Sequence, residues 1–180
     1  MYRWEITRAA LAQRVFATIR SESYDQAAAT ADTLLSAGLT TLEISLTTPF
    51  ALEAVTTLVR EVGDDAVIGA GTVLDGVSAR LAIDAGARFL LSPNLDEQVL
   101  SAGHRYGIPV FPGVATPTEA VRAMELGADA LALYPATAYT PGWVAAGAVA
   151  VGMGSALTDG DRETVTKRLA ELLDRLADSD

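Results

Sequence analysis

The chain has 180 residues, half of them hydrophobic, and its mean hydropathy is +0.27, which suits one domain (residues 1–180) with a sizeable core. The net charge is −10 and no cluster of lysine or arginine occurs, which argues against a nucleic-acid partner. The sequence has no run of about 18 apolar residues, so no membrane span is predicted, and the N-terminus lacks the layout of a signal peptide. Because there is no cysteine, disulfides and thiolate metal sites are excluded, although this alone does not establish a reducing compartment. Together these features predict a soluble cytoplasmic protein.

One unit recurs along the chain: a helical segment ends in a small residue and a glycine, and an apolar strand follows at once. The glycines of this unit are Gly38, Gly86, Gly107, Gly127 and Gly147, with Gly63 as a looser copy. Each stands where the C-terminus of a helix favours a left-handed residue. Strands and helices that alternate at this spacing predict parallel β/α units.

The predicted elements begin with an N-terminal helix inside residues 1–13, at about residues 7–13. Seven strands follow, at residues 15–19, 41–46, 66–70, 88–92, 108–111, 130–134 and 148–151. Helices are predicted at residues 23–36, with Ser23 as the N-cap, and at residues 50–62. An amphipathic helix over residues 161–176 ends the pattern.

Turn-forming and polar residues gather where these strands end. In a β/α barrel that end of the strands carries the functional site. The sequence therefore predicts an α/β fold, a parallel TIM-barrel-like domain with seven strands, one unit short of eight. An open doubly wound sheet is the alternative.

The last crossover is unusually short. Only about a dozen residues separate the sixth predicted strand from the seventh, near the lower limit for a parallel crossover. A β/α unit is therefore missing at this point of the pattern.

Glu43 lies inside the buried strand that Pro49 ends, and a buried carboxylate costs several kcal/mol unless it is paired or used. Two readings follow: an ion pair with an arginine on a neighbouring strand, or a functional acid.

Two glycine-containing strand ends are further candidates. Thr72, at the end of Gly69-Ala70-Gly71-Thr72, either contacts a ligand or caps a helix, and the motif lacks the third glycine of a dinucleotide fingerprint. The sequence Gly152-Met153-Gly154-Ser155 is either an anion cradle or an ordinary turn. His104, the single histidine, is expected at a helix C-terminus, so no metal site and no cofactor are predicted.

Five motifs in order carry a resemblance to a known family. They are Glu43-Ile44-Ser45-Leu46-Thr47-Thr48-Pro49, Gly69-Ala70-Gly71-Thr72-Val73-Leu74, Leu91-Ser92-Pro93-Asn94, Phe111-Pro112-Gly113-Val114-Ala115-Thr116 and Tyr134-Pro135-Ala136. From about Ala12 to Leu157 the chain resembles the 2-keto-3-deoxy-6-phosphogluconate (KDPG) aldolases and the related 4-hydroxy-2-oxoglutarate (KHG) aldolases.

This resemblance implies a class I aldolase barrel, commonly a homotrimer. Such enzymes reversibly cleave a 2-keto-3-deoxy sugar acid phosphate to pyruvate and an aldehyde such as glyceraldehyde 3-phosphate. On the matching positions, Glu43 corresponds to the proton-transferring acid/base. The implied substrate contacts are Arg20, Thr47, Thr72, Pro93 and Phe111, and the implied phosphate contacts are Gly152, Gly154 and Ser155.

The chain departs from the family at decisive positions. The Schiff-base lysine of the family, three residues before the proline of its phenylalanine-proline-alanine motif, is Ala132 here, and an alanine cannot form an imine. The only lysine is Lys167, in the C-terminal amphipathic segment. Thr47 stands where the family has an arginine, and the seventh strand with its phosphate loop has no counterpart.

Three hypotheses follow. The chain is an aldolase by descent, or a catalytically inactive barrel that binds a small carboxylate or phosphosugar. Otherwise it is an incomplete or engineered version of an active aldolase, with about 20–30 residues absent between Ala138 and Trp143, although a deletion alone does not explain Ala132.

Overall fold

The structure, a computed structural model, describes residues 2–134 and 148–177. Its strands are β1 (Val15–Ile19), β2 (Thr41–Ser45), β3 (Val67–Gly71), β4 (Leu90–Ser92), β5 (Val110–Val114), β6 (Ala132–Leu133) and β7 (Val151–Met153). Its helices are α1 (Arg3–Leu11), α2 (Tyr24–Ser36), α3 (Ala51–Val62), α4 (Gly76–Asp84), α5 (Glu97–Tyr106), α6 (Pro117–Glu125), α7 (Ser155–Thr158) and α8 (Arg162–Ala177).

The seven strands form one curled parallel sheet in the order β6-β5-β4-β3-β2-β1-β7. The predicted parallel β/α fold is confirmed, and the described residues contain the seven strands that the sequence predicts. Strands β6 and β7 occupy the two edges of the described sheet and flank, along the chain, the short crossover at which the sequence predicts a missing β/α unit.

Two apolar cores hold the sheet. The larger lies between the sheet and its helices and contains Ala17, Leu42, Ile44 and Ile68. The smaller lies on the inner face of the sheet, where Phe89 and Phe111 pack against Ile6 and Ala10 of α1. Helix α1 thus covers the inner face at the amino ends of the strands and leaves the carboxyl ends for the site.

Predicted boundaries fail at both ends of the sheet region. Helix α1 begins at Arg3 rather than near residue 7, because the Glu5 carboxylate accepts a hydrogen bond from the backbone N–H of Tyr2 (2.6 Å) and so starts the helix early. Strand β7 begins at Val151 rather than at residue 148. Its Gly152 pairs with Phe16, whose ring needs the space that only a glycine leaves.

The repeated glycines end helices as predicted. Gly38, Gly86, Gly107 and Gly127 all have positive φ angles, between 70° and 97°. Three other predictions, the cap at Gly147, the motif residues Pro135 and Ala136, and the deletion between Ala138 and Trp143, lie outside the described residues.

No helix in the described part of the chain combines the length and the apolar character needed to cross a membrane.

Candidate active site

Side chains of β1 and β2 project polar groups onto the inner face of the sheet. Alternation along these strands places Thr18, Glu43 and Ser45 on that face, while Ala17, Leu42 and Ile44 face the helices. The register pairs Thr18 with Glu43 directly across the two strands. A hydroxyl and a carboxyl therefore meet inside the curled sheet.

The Glu43 carboxyl is almost completely enclosed, with 1% of the residue exposed. Its Oε1 accepts a hydrogen bond from the Thr18 hydroxyl (2.6 Å), and its Oε2 has no hydrogen-bond partner among the described residues. Burial raises the pKa of Glu43 to about 7, although the Thr18 hydrogen bond and the positive charge of Arg20 both lower it. The predicted alternative of an ion pair is not what the described residues show, because the direct partner is a threonine.

Gly71 makes room for this carboxyl. A Cβ atom placed on Gly71 would lie 1.5 Å from Oε2 of Glu43, which is far inside any possible contact. The Glu43 side chain on the neighbouring strand therefore requires glycine at residue 71.

Three hydroxyl side chains, which we call the hydroxyl cluster, lie at the carboxyl ends of β2 and β3, and Arg20 at the end of β1 lies beside them. The cluster consists of Ser45, Thr47 and Thr72. Ser45 is central, since its Oγ is 2.8 Å from the hydroxyl oxygens of both Thr47 and Thr72. Arg20 donates weakly to this cluster, through Nε to Ser45 (3.5 Å) and through Nη2 to Thr72 (3.4 Å). The guanidinium is exposed and its donors are not saturated, so it can still bind an anion such as a carboxylate.

Thr72 is held in an unfavourable conformation. Its φ is +56°, and a β-branched residue in this left-handed region costs roughly 1–3 kcal/mol. The strained backbone keeps the Thr72 hydroxyl within hydrogen-bond distance of Ser45 and Arg20. Strained residues of this kind cluster at active and binding sites.

A second group of predicted residues lies across the sheet, on β4 to β6. A Cβ on Gly113 would be 2.2 Å from the carbonyl oxygen of Pro93, so these two segments are in close contact. Ala132 pairs with Gly113 and shares its face of the sheet, but Ala132 is only half-buried and its side chain is a methyl group.

Phe111 and Gly152 lie apart from both groups. The Phe111 ring stacks on Phe89, with ring centroids 5.5 Å apart, and is enclosed near α1. A Cβ on Gly152 would meet the Phe16 ring at 2.4 Å. This packing disfavours direct ligand contacts at Phe111 and Gly152. Gly154 and Ser155 follow β7 at the carboxyl end of the sheet, the edge that also carries the hydroxyl cluster.

Metal ligands do not come together in the described residues: no group of three histidine or acidic side chains is close enough to hold an ion. His104 lies in the last turn of α5, as predicted, and its Nε2 is 2.9 Å from the carbonyl oxygen of Gly127.

Three polar residues of the site were missed from the sequence. Thr18 contacts the carboxyl, Ser45 joins the hydroxyl cluster, and the Thr48 hydroxyl accepts a hydrogen bond from the backbone of Ser21 (3.3 Å). The period-2 alternation of β1 and β2 was the available signal, because it places Thr18 and Ser45 on the face of Glu43.

The family follows from comparison with known proteins. The family model of the KDPG and KHG aldolases matches residues 6–150. The chain belongs to the KDPG and KHG aldolase family. It is 35% identical over 132 residues to a 2-dehydro-3-deoxy-6-phosphogalactonate aldolase of Escherichia coli, a match that covers 73% of this chain and 64% of that protein. It is also 36% identical over 108 residues to a KHG/KDPG aldolase of Escherichia coli, covering 60% and 50% of the two chains.

Solved aldolase structures share the fold. A native KDPGal structure superposes with a TM-score of 0.85 at 28% identity, covering 92% of this chain and 95% of the other. A 4-hydroxy-2-oxoglutarate/2-dehydro-3-deoxyphosphogluconate aldolase gives 0.81 at 31% identity, covering 98% and 99%. By sequence, the matched segments span between half and about two thirds of the length of these two Escherichia coli relatives.

Proposed function

We propose that this protein has the site of a 2-keto-3-deoxy sugar acid aldolase, in which the ligand-binding groups and the acid/base residue are retained and carbon–carbon cleavage is disabled by Ala132. The observation that carries the proposal is the buried carboxyl of Glu43, with one unpartnered oxygen, on the inner face of the sheet that carries the hydroxyl cluster. Family membership supports the reaction class, which is reversible retro-aldol cleavage to pyruvate and an aldehyde.

Glu43 suits both proton transfers of such a reaction. In retro-aldol cleavage the hydroxyl on the carbon that becomes the aldehyde loses a proton, and the methyl carbon of the nascent pyruvate gains one. A group serves as base and then as acid most effectively when both of its forms are populated at the working pH. Since burial raises the pKa of Glu43 to about 7, both forms are present near neutrality.

Arg20 and the hydroxyl cluster suit the carboxylate of a 2-oxo acid. The exposed guanidinium supplies charge and donors, and the half-buried Thr72 hydroxyl, which the buried Ser45 hydroxyl holds in place, adds a donor beside it. Thr47 lies at the exposed end of this cluster, where a longer ligand would pass. Pro93 is assigned to the opposite wall, and Gly154 and Ser155 to the phosphate end.

The missing part is the amine. A class I aldolase forms an imine between a lysine and the carbonyl of its substrate, and this imine accepts the electron pair released by bond cleavage. Position 132 has a methyl group, and Lys167 lies exposed on α8, which packs against α2 on the outside of the sheet. This arrangement favours the second candidate function, a catalytically inactive barrel that binds a 2-oxo acid, over an active lyase.

Binding and cleavage are tested separately. We expect pyruvate to raise the melting temperature of the chain, with acetate as the control anion that lacks the 2-oxo group. Release of pyruvate from 2-keto-3-deoxy-6-phosphogluconate and its galactonate epimer is expected to stay at background. No stabilisation by pyruvate would contradict the binding proposal, and turnover above background would contradict the loss of cleavage.

Covalent trapping tests the amine directly. With pyruvate and borohydride, mass spectrometry is expected to show no pyruvyl adduct. An adduct would contradict this expectation, and peptide mapping would then show whether Lys167 carries it. A purified chain heavier than 18.8 kDa would instead support an incomplete sequence.

Assembly into a homotrimer completes the proposal. Phe50, Leu74 and Val77, which follow β2 and β3, are 68%, 54% and 72% exposed, and exposed apolar side chains of this kind are typical of subunit contacts. A designed cage built by fusing symmetric oligomeric domains superposes with a TM-score of 0.85 at 28% identity, which covers 92% of this chain and 73% of that chain and supports oligomerisation. A cytoplasmic location stays a prediction.

A further inference from the structure

We propose that Thr18 is a positioning residue, which holds Oε1 of Glu43 so that Oε2 alone is left to exchange protons with the ligand. This inference rests on the proposed function of Glu43 and adds to it a second residue and a choice between the two carboxyl oxygens.

The first step is the contact to Oε1. The Thr18 hydroxyl donates to Oε1 at 2.6 Å from the strand directly beside Glu43, with which Thr18 is in register. Both side chains start from regular strand positions, so the contact is set by the sheet and not by a mobile loop. A carboxyl oxygen that accepts a short hydrogen bond is the less basic of the pair, because its lone pair is already shared.

The second step is the location of Oε2. This oxygen has no hydrogen-bond partner among the described residues, and it lies where a Cβ of residue 71 would be. Gly71 ends β3 and is followed by Thr72 of the hydroxyl cluster. Oε2 is therefore turned toward the end of β3, one residue before the Thr72 hydroxyl. A buried polar atom without a partner is costly, which indicates that a ligand or solvent molecule completes it.

The two steps fix where the proton resides. When Glu43 is neutral, Oε1 acts as the carbonyl oxygen that accepts from Thr18, and Oε2 carries the proton. When Glu43 is ionised, Oε2 is the acceptor that remains available. Loss of the Thr18 hydroxyl would make the two oxygens equivalent and would free the carboxyl to rotate.

The test is a titration of Glu43 in the intact chain. Glutamate labelled with ¹³C at the side-chain carboxyl is incorporated, and E43Q identifies the resonance of Glu43 by its disappearance. In T18V, which keeps the shape of the side chain and removes its hydroxyl, the titration midpoint is expected to rise by about one pH unit, the size expected for one hydrogen bond to a carboxylate. T18S is expected to return it to the wild-type value.

T33V is the matched control, because Thr33 is also buried and its hydroxyl donates to the carbonyl oxygen of Ala29 within α2, outside the site. T33V is expected to leave the Glu43 midpoint unchanged. If T18V does not fold, the Glu43 midpoint is measured in T18A instead, with the same expected rise. A midpoint in T18V or T18A equal to that of the wild type would overturn the proposal. The titration needs no ligand, so failure of pyruvate to bind would contradict the proposed function and leave this result standing.

Discussion

The two halves of the sheet, β1–β3 and β4–β7 in chain order, differ in how completely they are built. Strands β1, β2 and β3 have five residues each, and all residues of β2 and β3 are buried. In the second half, β5 also has five buried residues, but β4, β6 and β7 have three, two and three residues, and those of β6 and β7 are half-buried or exposed. The long strands hold Glu43 and the hydroxyl cluster, whereas Ala132 stands on an edge strand. The acid/base residue and the carboxylate contacts thus lie in the first half, which we call the stable half, and the position for imine formation lies in the second, the incomplete half.

The largest expected effect comes from restoring the amine. In A132K the new side chain starts from the face that Ala132 shares with Gly113, the inner face of the sheet. We expect pyruvate and borohydride to give a single adduct on residue 132, detected by mass spectrometry and peptide mapping, where the parent chain gives none. A lysine introduced at Leu133, which faces the other side of the strand, is the control and is expected to give no adduct.

Failure of A132K to form the adduct would mean that the incomplete half no longer presents residue 132 to the ligand. The two halves would then differ in the placement of their residues as well as in the presence of the lysine.

The second effect concerns the fit between Gly71 and Glu43. Since a Cβ at residue 71 would overlap Oε2, G71A is expected to lower the free energy of unfolding by about 3 kcal/mol or more, measured by urea denaturation. The double variant E43A/G71A is expected to recover part of this loss, because the overlap is gone. G76A, at the first residue of α4, is the control: its Cβ would lie 3.2 Å from Cβ of Gln98, a much milder contact, so a much smaller change in stability is expected. Equal losses in G71A and in the double variant would contradict the overlap.

The third effect is a dependence of stability on pH. Burial raises the pKa of Glu43 to about 7 from its ordinary value of 4.5, so the folded chain retains a proton that the unfolded chain has lost between these pH values. The stability contributed by this group is fully present below pH 4.5 and is lost as pH rises through 7, with a total of about 3 kcal/mol. Denaturation at pH 5 and pH 8 is expected to show this loss in the parent chain and not in E43Q. If the free energy of unfolding changed equally with pH in the parent chain and in E43Q, Glu43 would not be the source of the pH dependence.

The smallest effect concerns the anion contact. In R20Q the affinity for pyruvate, measured by calorimetry, is expected to fall about tenfold, the equivalent of one charge-assisted hydrogen bond. The pKa of Glu43 is expected to rise in R20Q, because the charge of Arg20 lowers it. R60Q removes the same charge from the exposed end of α3 and is expected to bind like the parent chain.

Much of the stable half was predictable from the sequence. Apolar strands, a carboxylate within one of them and glycines after the helices gave the parallel fold, the buried position of Glu43 and the ends of α2 and α5. Arg20 and Thr72 were expected at one site because the carboxyl ends of parallel strands share one edge.

The remainder depends on contacts between strands that no local pattern encodes. The start of β7 is set by the Phe16 ring opposite Gly152, and the need for glycine at residue 71 is set by the Glu43 side chain. The sequence motif predicts a substrate contact at Phe111, but its ring stacks on Phe89 and lies in the core beside α1. Such pairings become visible only when the register is known.

The overlap between Gly71 and Glu43 also constrains the order in which this site can change over generations. Glu43 can be replaced by a smaller residue while Gly71 stays, because only empty space results. Gly71 cannot gain a side chain while the Glu43 carboxyl keeps its present position, because a Cβ would lie 1.5 Å from Oε2. The geometry therefore favours loss of the acid before loss of the glycine, and we expect descendants that abandon this site to keep glycine at residue 71 longer than the acid at residue 43.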